Sequence, residues 1–240
     1  MAKYSPRKSA SRLSIDDRTA DILNAARLVI SAKGYENVVL ADIAREAGIV
    51  EGTIYRYFEN KRDLLLKVSE LWLSEQLSAD SQLPLIHGTQ NKLRHIAARH
   101  LMIIKREPVL SRYMLMEVRH DPSYRNTMFF ELNRSFVRET LQVCKDAIAS
   151  GEFRDDVAPA VMRDMLHGCI EHQTWAFLRG ERDLMVDEVA ETIINVLYRG
   201  MLKTAPASQE NVSRVEAVIE RLQQVATRLE RQTPAPDRKV

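Results

Sequence analysis

The stretch EGTIYRYFENK, Glu51 to Lys61, sets a Gly-Thr pair ahead of two tyrosines and a phenylalanine interleaved with Arg56, and closes on Asn60-Lys61. In a chain that is only 6% aromatic, this concentration asks for an element used on both faces. At helical spacing Ile54 and Phe58 lie one turn apart and face inward, while Thr53, Tyr55 and Arg56 face out. The outward set has the chemistry of base edges and phosphates. Arg56 can reach guanine O6 and N7 bidentately, and Thr53 can touch a thymine methyl or a phosphate. The phenols of Tyr55 and Tyr57 can donate to phosphate oxygens while their rings cover a groove wall. Gly52 removes a side chain where the start of the element would meet a DNA backbone, and Lys61 opens the next helix as a phosphate clamp.

Such side chains act only if other elements hold them. Ile43, Ala47, Ile49, Ile54 and Tyr57 supply apolar positions in phase, Ala44 is small where two helices cross, and Gly48 stands where a tight turn needs positive φ. Leu40 to Glu59 therefore reads as a helix-turn-helix whose third helix, EGTIYRYF, enters a major groove. Ahead of it, Ile22, Ala26, Val29 and Ile30 recur at helical spacing between an acidic cap near Asp17 and the stop Gly34. Behind it, Asn60 with Asp63 three residues on caps a helix of about five turns, KRDLLLKVSELWLSEQL.

The remainder also reads as helices: one near 90–106, a shorter one after Pro108 through Val118, and a long one opened by Asp121-Pro122 and stopped by Gly151. Two more follow at roughly 159–179 and 186–203. Beyond the linker KTAPASQ, Val212, Val215, Ile219, Leu222, Ala226 and Leu229 trace a heptad seam, which either pairs between chains as a coiled coil or packs back on the body. The expected fold is all-α. Residues 1–16 form a flexible basic arm, 17–66 a helix-turn-helix domain, 67–204 a ligand-binding and dimerisation domain, and 205–240 a linker with the final helix.

Composition narrows the function. A 240-residue chain at 45% hydrophobic can bury a sizeable core, and eight Gly and eight Pro leave turns sparse. No apolar run is long enough for a membrane span, and no apolar segment follows the basic N-terminus, so a cytoplasmic location is expected. The net charge of +2 is too small to announce a nucleic-acid partner, but Lys3, Arg7, Lys8 and Arg12 precede any acid, as a solvated tail or an arm on phosphates. Cys144 and Cys169 lack metal or disulfide spacing. The six histidines never fall at i,i+4, and His95/His100 and His167/His172 point to different faces, so no metal site and no cofactor are expected. There is no Walker loop, no GxGxxG and no nucleophile-base pair, which argues against an enzyme. The methionines from Met102 to Met165 are core, or the lining of an adaptable apolar pocket.

With LADIAREAG, GTIYRYF and NKRDLL placed after one amphipathic helix, the chain resembles the TetR family of bacterial transcriptional repressors over about Arg18 to Leu66. The resemblance implies a homodimer that binds a palindromic double-stranded DNA operator and is released by a small-molecule effector. Carried over by motif position, Gly52, Thr53, Tyr55, Arg56, Tyr57 and Lys61 would meet DNA. Val39 and Val50 stand where the family usually has capping hydroxyls, and Glu51 where a lysine is frequent. IASGEFRDDVAPAVMRDMLHGCIEHQTWAFLRG is similar to the C-terminal halves of family members that regulate fatty-acid and acyl-CoA metabolism. That similarity implies a long acyl chain or acyl-CoA among the central helices, with Arg106 or Arg119 at a polar head; Met102, Met114 and Met128 are candidate pocket lining, Trp175 serves a ligand or fills core, and an aromatic or cationic drug-like effector is the alternative. In the order of helices, Met165, Cys169, Ile193, Val196 and Leu197 would centre the dimer interface, or pack within one monomer. A rival reading from another class is a helical adaptor that has lost DNA binding.

Overall fold

The computed structural model describes residues 15–78, 82–203 and 218–223. Among these there is no strand; the order is α1 Ile15–Lys33, α2 Leu40–Glu46, α3 Glu51–Ile54, α4 Lys61–Ser78, α5 Thr89–Arg106, α6 Pro108–Tyr113, α7 Met128–Ala149, α8 Pro159–Leu178 and α9 Val186–Met201. A π-helical segment, Met114–Val118, continues α6. The basic arm and the linker fall outside the described residues, as does most of the heptad seam. Of that seam only the helical segment 218–223 is described, with Val218, Ile219 and Leu222 exposed.

Local chemistry accounts for the element ends. α1 carries Asp16 and Asp17 in its first turn and Lys33 in its last, as the helix dipole favours, and stops at Gly34 with φ 77°. Gly48, at φ 65°, turns the chain from α2 toward α3, and Ile49 N–H closes that turn on the Ala44 carbonyl at 2.9 Å. At α4 the Asn60 side chain accepts from Asp63 N–H at 3.0 Å, and the Asp63 carboxylate accepts from Glu59 N–H at 3.1 Å.

The long helix does not begin at Asp121-Pro122. Asp121 instead accepts from Ser123 N–H at 2.7 Å and pairs with Arg62, and a 3₁₀ turn at Tyr124–Asn126 intervenes. Thr127 then caps α7 by accepting from Phe130 N–H at 3.1 Å. An aspartate already engaged by a neighbouring arginine and its own turn leaves the capping role to the next available hydroxyl.

One continuous hydrophobic core joins the first helices to the body. It runs through Ile22, Ile30, Ile43, Ile54 and Phe58, continues along α4 by Leu64, Val68 and Trp72, and reaches Leu110, Tyr113, Phe129 and Phe136. Fully burying side chains of this size stabilises by about 1.5–3 kcal/mol each before ordering costs. The first three helices and α4 therefore share one core with the body.

Candidate nucleic-acid interface and ligand cavity

α3 is a single α turn, Glu51–Ile54, followed by tighter i→i+3 turns in which Arg56 N–H meets the Thr53 carbonyl at 3.1 Å and Tyr57 N–H the Ile54 carbonyl at 2.9 Å. The sequence pattern suggests a helix through Phe58; an i→i+4 bond from Phe58 N–H to the Ile54 carbonyl at 3.0 Å keeps both side chains on the core face, and Glu59 and Asn60 then enter the cap of α4. Ile54 is 1% and Phe58 4% exposed, whereas Tyr55 is 56% exposed and Arg56 is exposed beside it. Thr53, Tyr57 and Lys61 are half-buried, and Gly52 is exposed with no atom near the position of an added Cβ.

The support of this surface is partly ionic. Asp42, largely buried in α2, accepts from Lys33 Nζ at 2.6 Å and from Arg45, and the Lys33 hydrogen bond leads in holding its carboxyl below the usual range. α2 thereby stays tied to the end of α1. Val39 and Val50, the residues ahead of α2 and α3, are exposed and offer no side-chain cap, so the first N–H groups of both helices point outward unmet by a side chain.

Polar ties also cross from the first helices to the body. Arg27 bridges Glu107 at 2.6 Å and Glu75 at 2.8 Å, Arg112 meets Glu36 at 3.1 Å, and Arg62 pairs with Asp121. The rings of Tyr35 and Tyr113 lie 5.1 Å apart, and burial raises the Tyr113 phenol to about 12. The segment from α6 to Asp121 thus holds the first four helices.

The other side of that segment lines a cavity of about 300 Å³ with His100, Ile104, Met114, Leu115, Arg119, Phe129, Asn133, Val137, Asp164, His167, Gly168 and Glu171. Arg119 Nη1 meets Glu171 Oε2 at 2.7 Å across it. His100 and His167 touch through their Nδ1 atoms at 3.2 Å, and His167 Nε2 lies 3.0 Å from Thr140 Oγ1. Burial, reinforced by neighbouring cations, holds His100 well below the ordinary imidazole value and His167 at about 4, so both are neutral near pH 7.

Of the ligand residues expected from sequence, Met114 and Arg119 line this cavity; Met102, Arg106, Met128 and Trp175 do not, and Met128 is exposed. The histidine pair was missed because its members lie on α5 and α8, and reading neighbours along the chain paired each with the wrong partner. The signal available was a histidine on the same face of α5 as Ile96 and Ile104. Among the described residues no three His, Cys, Asp or Glu side chains are grouped as metal ligands.

On α8 and α9, Met165 and Val196 are exposed at 51% and 67%, Cys169 and Leu197 are half-buried, and Ile193 is buried. Val161 and Met185 add exposed apolar area nearby in sequence. No helix of the described residues is long and apolar enough to cross a membrane.

Comparison with known proteins bears on both halves. Residues 22–68 match the model of bacterial regulatory proteins of the tetR family, and residues 88–201 that of the tetracyclin repressor-like C-terminal domain. The fatty acid metabolism regulator protein of Bacillus subtilis (strain 168) is 21% identical over 181 residues, 75% of this chain and 93% of that protein. The transcriptional repressor KstR2 of Rhodococcus jostii (strain RHA1) is 21% identical over 196 residues, 77% of this chain and 91% of that protein. Among solved structures, FadR from Bacillus subtilis in complex with stearoyl-CoA superposes with a TM-score of 0.65 at 21% identity, covering 76% of this chain and 98% of that one. At these identities the solved likeness speaks to the fold.

Proposed function

This chain belongs to the TetR family of bacterial regulatory proteins and is a transcriptional regulator, and from that premise we propose that it is a ligand-responsive repressor binding a palindromic operator as a homodimer. The observation that carries the reading is the division of one short element. Ile54 and Phe58 anchor α3 and its following turn in the core, while Tyr55 and Arg56 are left in solvent beside Thr53. Arg56 reads a base edge; Gly52 and Thr53 let the helix start approach the DNA backbone; Tyr55, Tyr57 and Lys61 hold phosphates. α8 and α9 pair across a two-fold axis with Met165, Cys169, Ile193, Val196 and Leu197 at the centre, which would cover Met165 and Val196. The domains divide functionally near residue 66, with the effector between α5, the π-helical segment, α7 and α8.

The effector is apolar with a polar end, of the fatty-acid or acyl class. The name of the Bacillus subtilis relative and the stearoyl-CoA in its solved counterpart support that class, as do Ile104, Met114, Leu115, Phe129 and Val137 along the cavity. Coupling runs through the segment Pro108–Asp121. Met114, Leu115 and Arg119 face the ligand, while Arg112, Tyr113 and Asp121 grip the first four helices. A ligand that moves this segment tilts α4 at Arg62 and changes the separation of two recognition elements from the roughly 34–36 Å of successive major grooves. It can do so only by preferring the non-operator conformation.

An electrophoretic shift with DNA from upstream of the chain's own gene tests the reading. The protein is expected to retard that fragment at physiological salt in excess random DNA. Retardation equal to that of random DNA would favour the adaptor alternative, in which Val39, Val50 and Glu51 mark a lost DNA surface.

A further inference from the structure

The cavity contains a polar device that DNA binding does not use. Two ring nitrogens facing each other at 3.2 Å share one proton, so the neutral His100 and His167 present opposite roles at that contact. When the Thr140 hydroxyl donates to His167 Nε2, His167 donates to His100, and His100 presents Nε2–H. When His167 donates to Thr140, the sense reverses and His100 presents a bare Nε2. A third state is also satisfied: His100 protonated, its Nδ1–H given to His167, its Nε2–H free for an oxyanion, and His167 donating to Thr140. The first neutral state also presents Nε2–H, but only the protonated one carries a charge that a bound carboxylate neutralises, so proton uptake on binding tells the two apart. Phe136 packs edge-on against the His100 ring at a centroid distance of 4.9 Å and fixes its orientation.

The surrounding charges are balanced in pairs, which leaves the histidine pair as the counter-charge available to that anion. Arg99 on α5, Arg119 after the π-helical segment and Arg163 on α8 put a positive potential on the pair. Asp164 on α8 opposes it at His167 and is itself paired with Arg163 at 2.8 Å. The remaining acids are engaged: Glu139 on α7 by Arg99, Glu171 on α8 by Arg119. Size describes only the part of a ligand held inside. At about 30 Å³ per water-sized group, 300 Å³ holds about ten non-hydrogen atoms, the size of an eight-carbon acid.

We propose that the cavity takes a compact free carboxylic acid, with its carboxylate on His100 Nε2 and its hydrocarbon chain along Ile104, Met114, Leu115, Phe129 and Val137, and that binding draws one proton from solution onto the histidine pair. This deepens the effector reading above and rests on it for its regulatory meaning.

The test is calorimetric titration of the full chain with sodium octanoate near pH 6, in two buffers of different ionisation heat, beside 1-octanol and octanoyl-CoA. Octanoate is expected to bind with uptake of about one proton per site, and to weaken by up to about tenfold per pH unit as pH rises toward the value of the bound imidazolium, levelling off above it. 1-Octanol is expected to bind without proton exchange. His100→Gln is expected to abolish the uptake and weaken octanoate about tenfold or more while leaving octanol unchanged. At Gly168 an added Cβ meets no atom within 4 Å, so Gly168→Leu is expected to fill the cavity without unfolding the helix and to lose both ligands. Octanoate binding without proton uptake, binding of octanoyl-CoA in place of octanoate, or no octanoate binding would each overturn the proposal; the wild-type buffer pair alone decides it if a variant fails to fold. DNA release is read separately. Octanoate that binds with proton uptake yet leaves operator affinity unchanged refutes the effector reading and leaves the carboxylate site standing.

Discussion

Ile54 and Tyr55 are neighbours in sequence and opposites in the fold, and exchanging each for alanine separates support from recognition. Ile54 is 1% exposed in the core that also contains Phe58, Leu64 and Trp72. Truncating a fully buried isoleucine costs about 2–5 kcal/mol, because the lost burial adds to the cavity left behind. In a chain of this size each kcal/mol shifts Tm by about 2–4 °C, so Ile54→Ala should lower Tm by about 4–20 °C. The core is continuous from α1 to α7, so this should appear as one shifted transition and not as early melting of the first helices alone. Tyr55 is 56% exposed, and Tyr55→Ala should leave Tm within a degree or two, since exposed substitutions usually stay within about 0.5 kcal/mol. Its operator affinity should fall by about tenfold for a lost phosphate hydrogen bond and ring contact. Thermal melts with fluorescence anisotropy on labelled DNA read both quantities. An Ile54→Ala protein melting with the wild type, or a Tyr55→Ala protein as destabilised as Ile54→Ala, would refute the assignment of faces.

Arg56→Ala should cost about 1–3 kcal/mol on the specific site and relax preference at one base pair per half-site, whereas Lys61→Ala should weaken all sequences alike and flatten the salt slope by about one; salt titrations on specific and random DNA separate the two. Val50→Ser should raise stability by about 0.5–2 kcal/mol, read as a higher denaturant midpoint, because it supplies the missing side-chain acceptor at the start of α3. Asp42 is held below the usual carboxylate range by Lys33 and Arg45, so the stability it contributes is present above its unfolded value and is lost as pH falls through its folded one. Acid melts of wild type and Asp42→Asn should therefore differ near neutrality and converge at low pH; a constant difference throughout would contradict the linkage.

The helices were legible because their signals are local. The apolar spacing of Ile22 to Ile30, the Asn60–Asp63 cap and the positive-φ Gly34, Gly48 and Gly151 each act within a turn or two of themselves. What failed locally was the start of α7, where Asp121 is claimed by Arg62, a residue far away in the chain. The inward and outward faces of α3 were legible for the same reason of periodicity, but its contraction to one α turn has no signal in the apolar spacing. The cavity was the least legible part. Met114 and Arg119, expected from sequence, line it, while His100 and His167 are joined only by the packing of α5 on α8, which no spacing along either helix encodes. Met128 fits an apolar periodicity yet sits at the first residue of α7, where the helix end is open to solvent.

The most direct measurement of the central claim is a footprint on DNA upstream of the chain's own gene, with wild type and Arg56→Ala side by side. Two protected half-sites related by a dyad are expected, their centres about 10–10.5 base pairs or a multiple apart, with protection inside them lost in Arg56→Ala. A single asymmetric footprint, or protection spread evenly along the fragment and unchanged by Arg56→Ala, would contradict the account of a dimer reading an operator through α3.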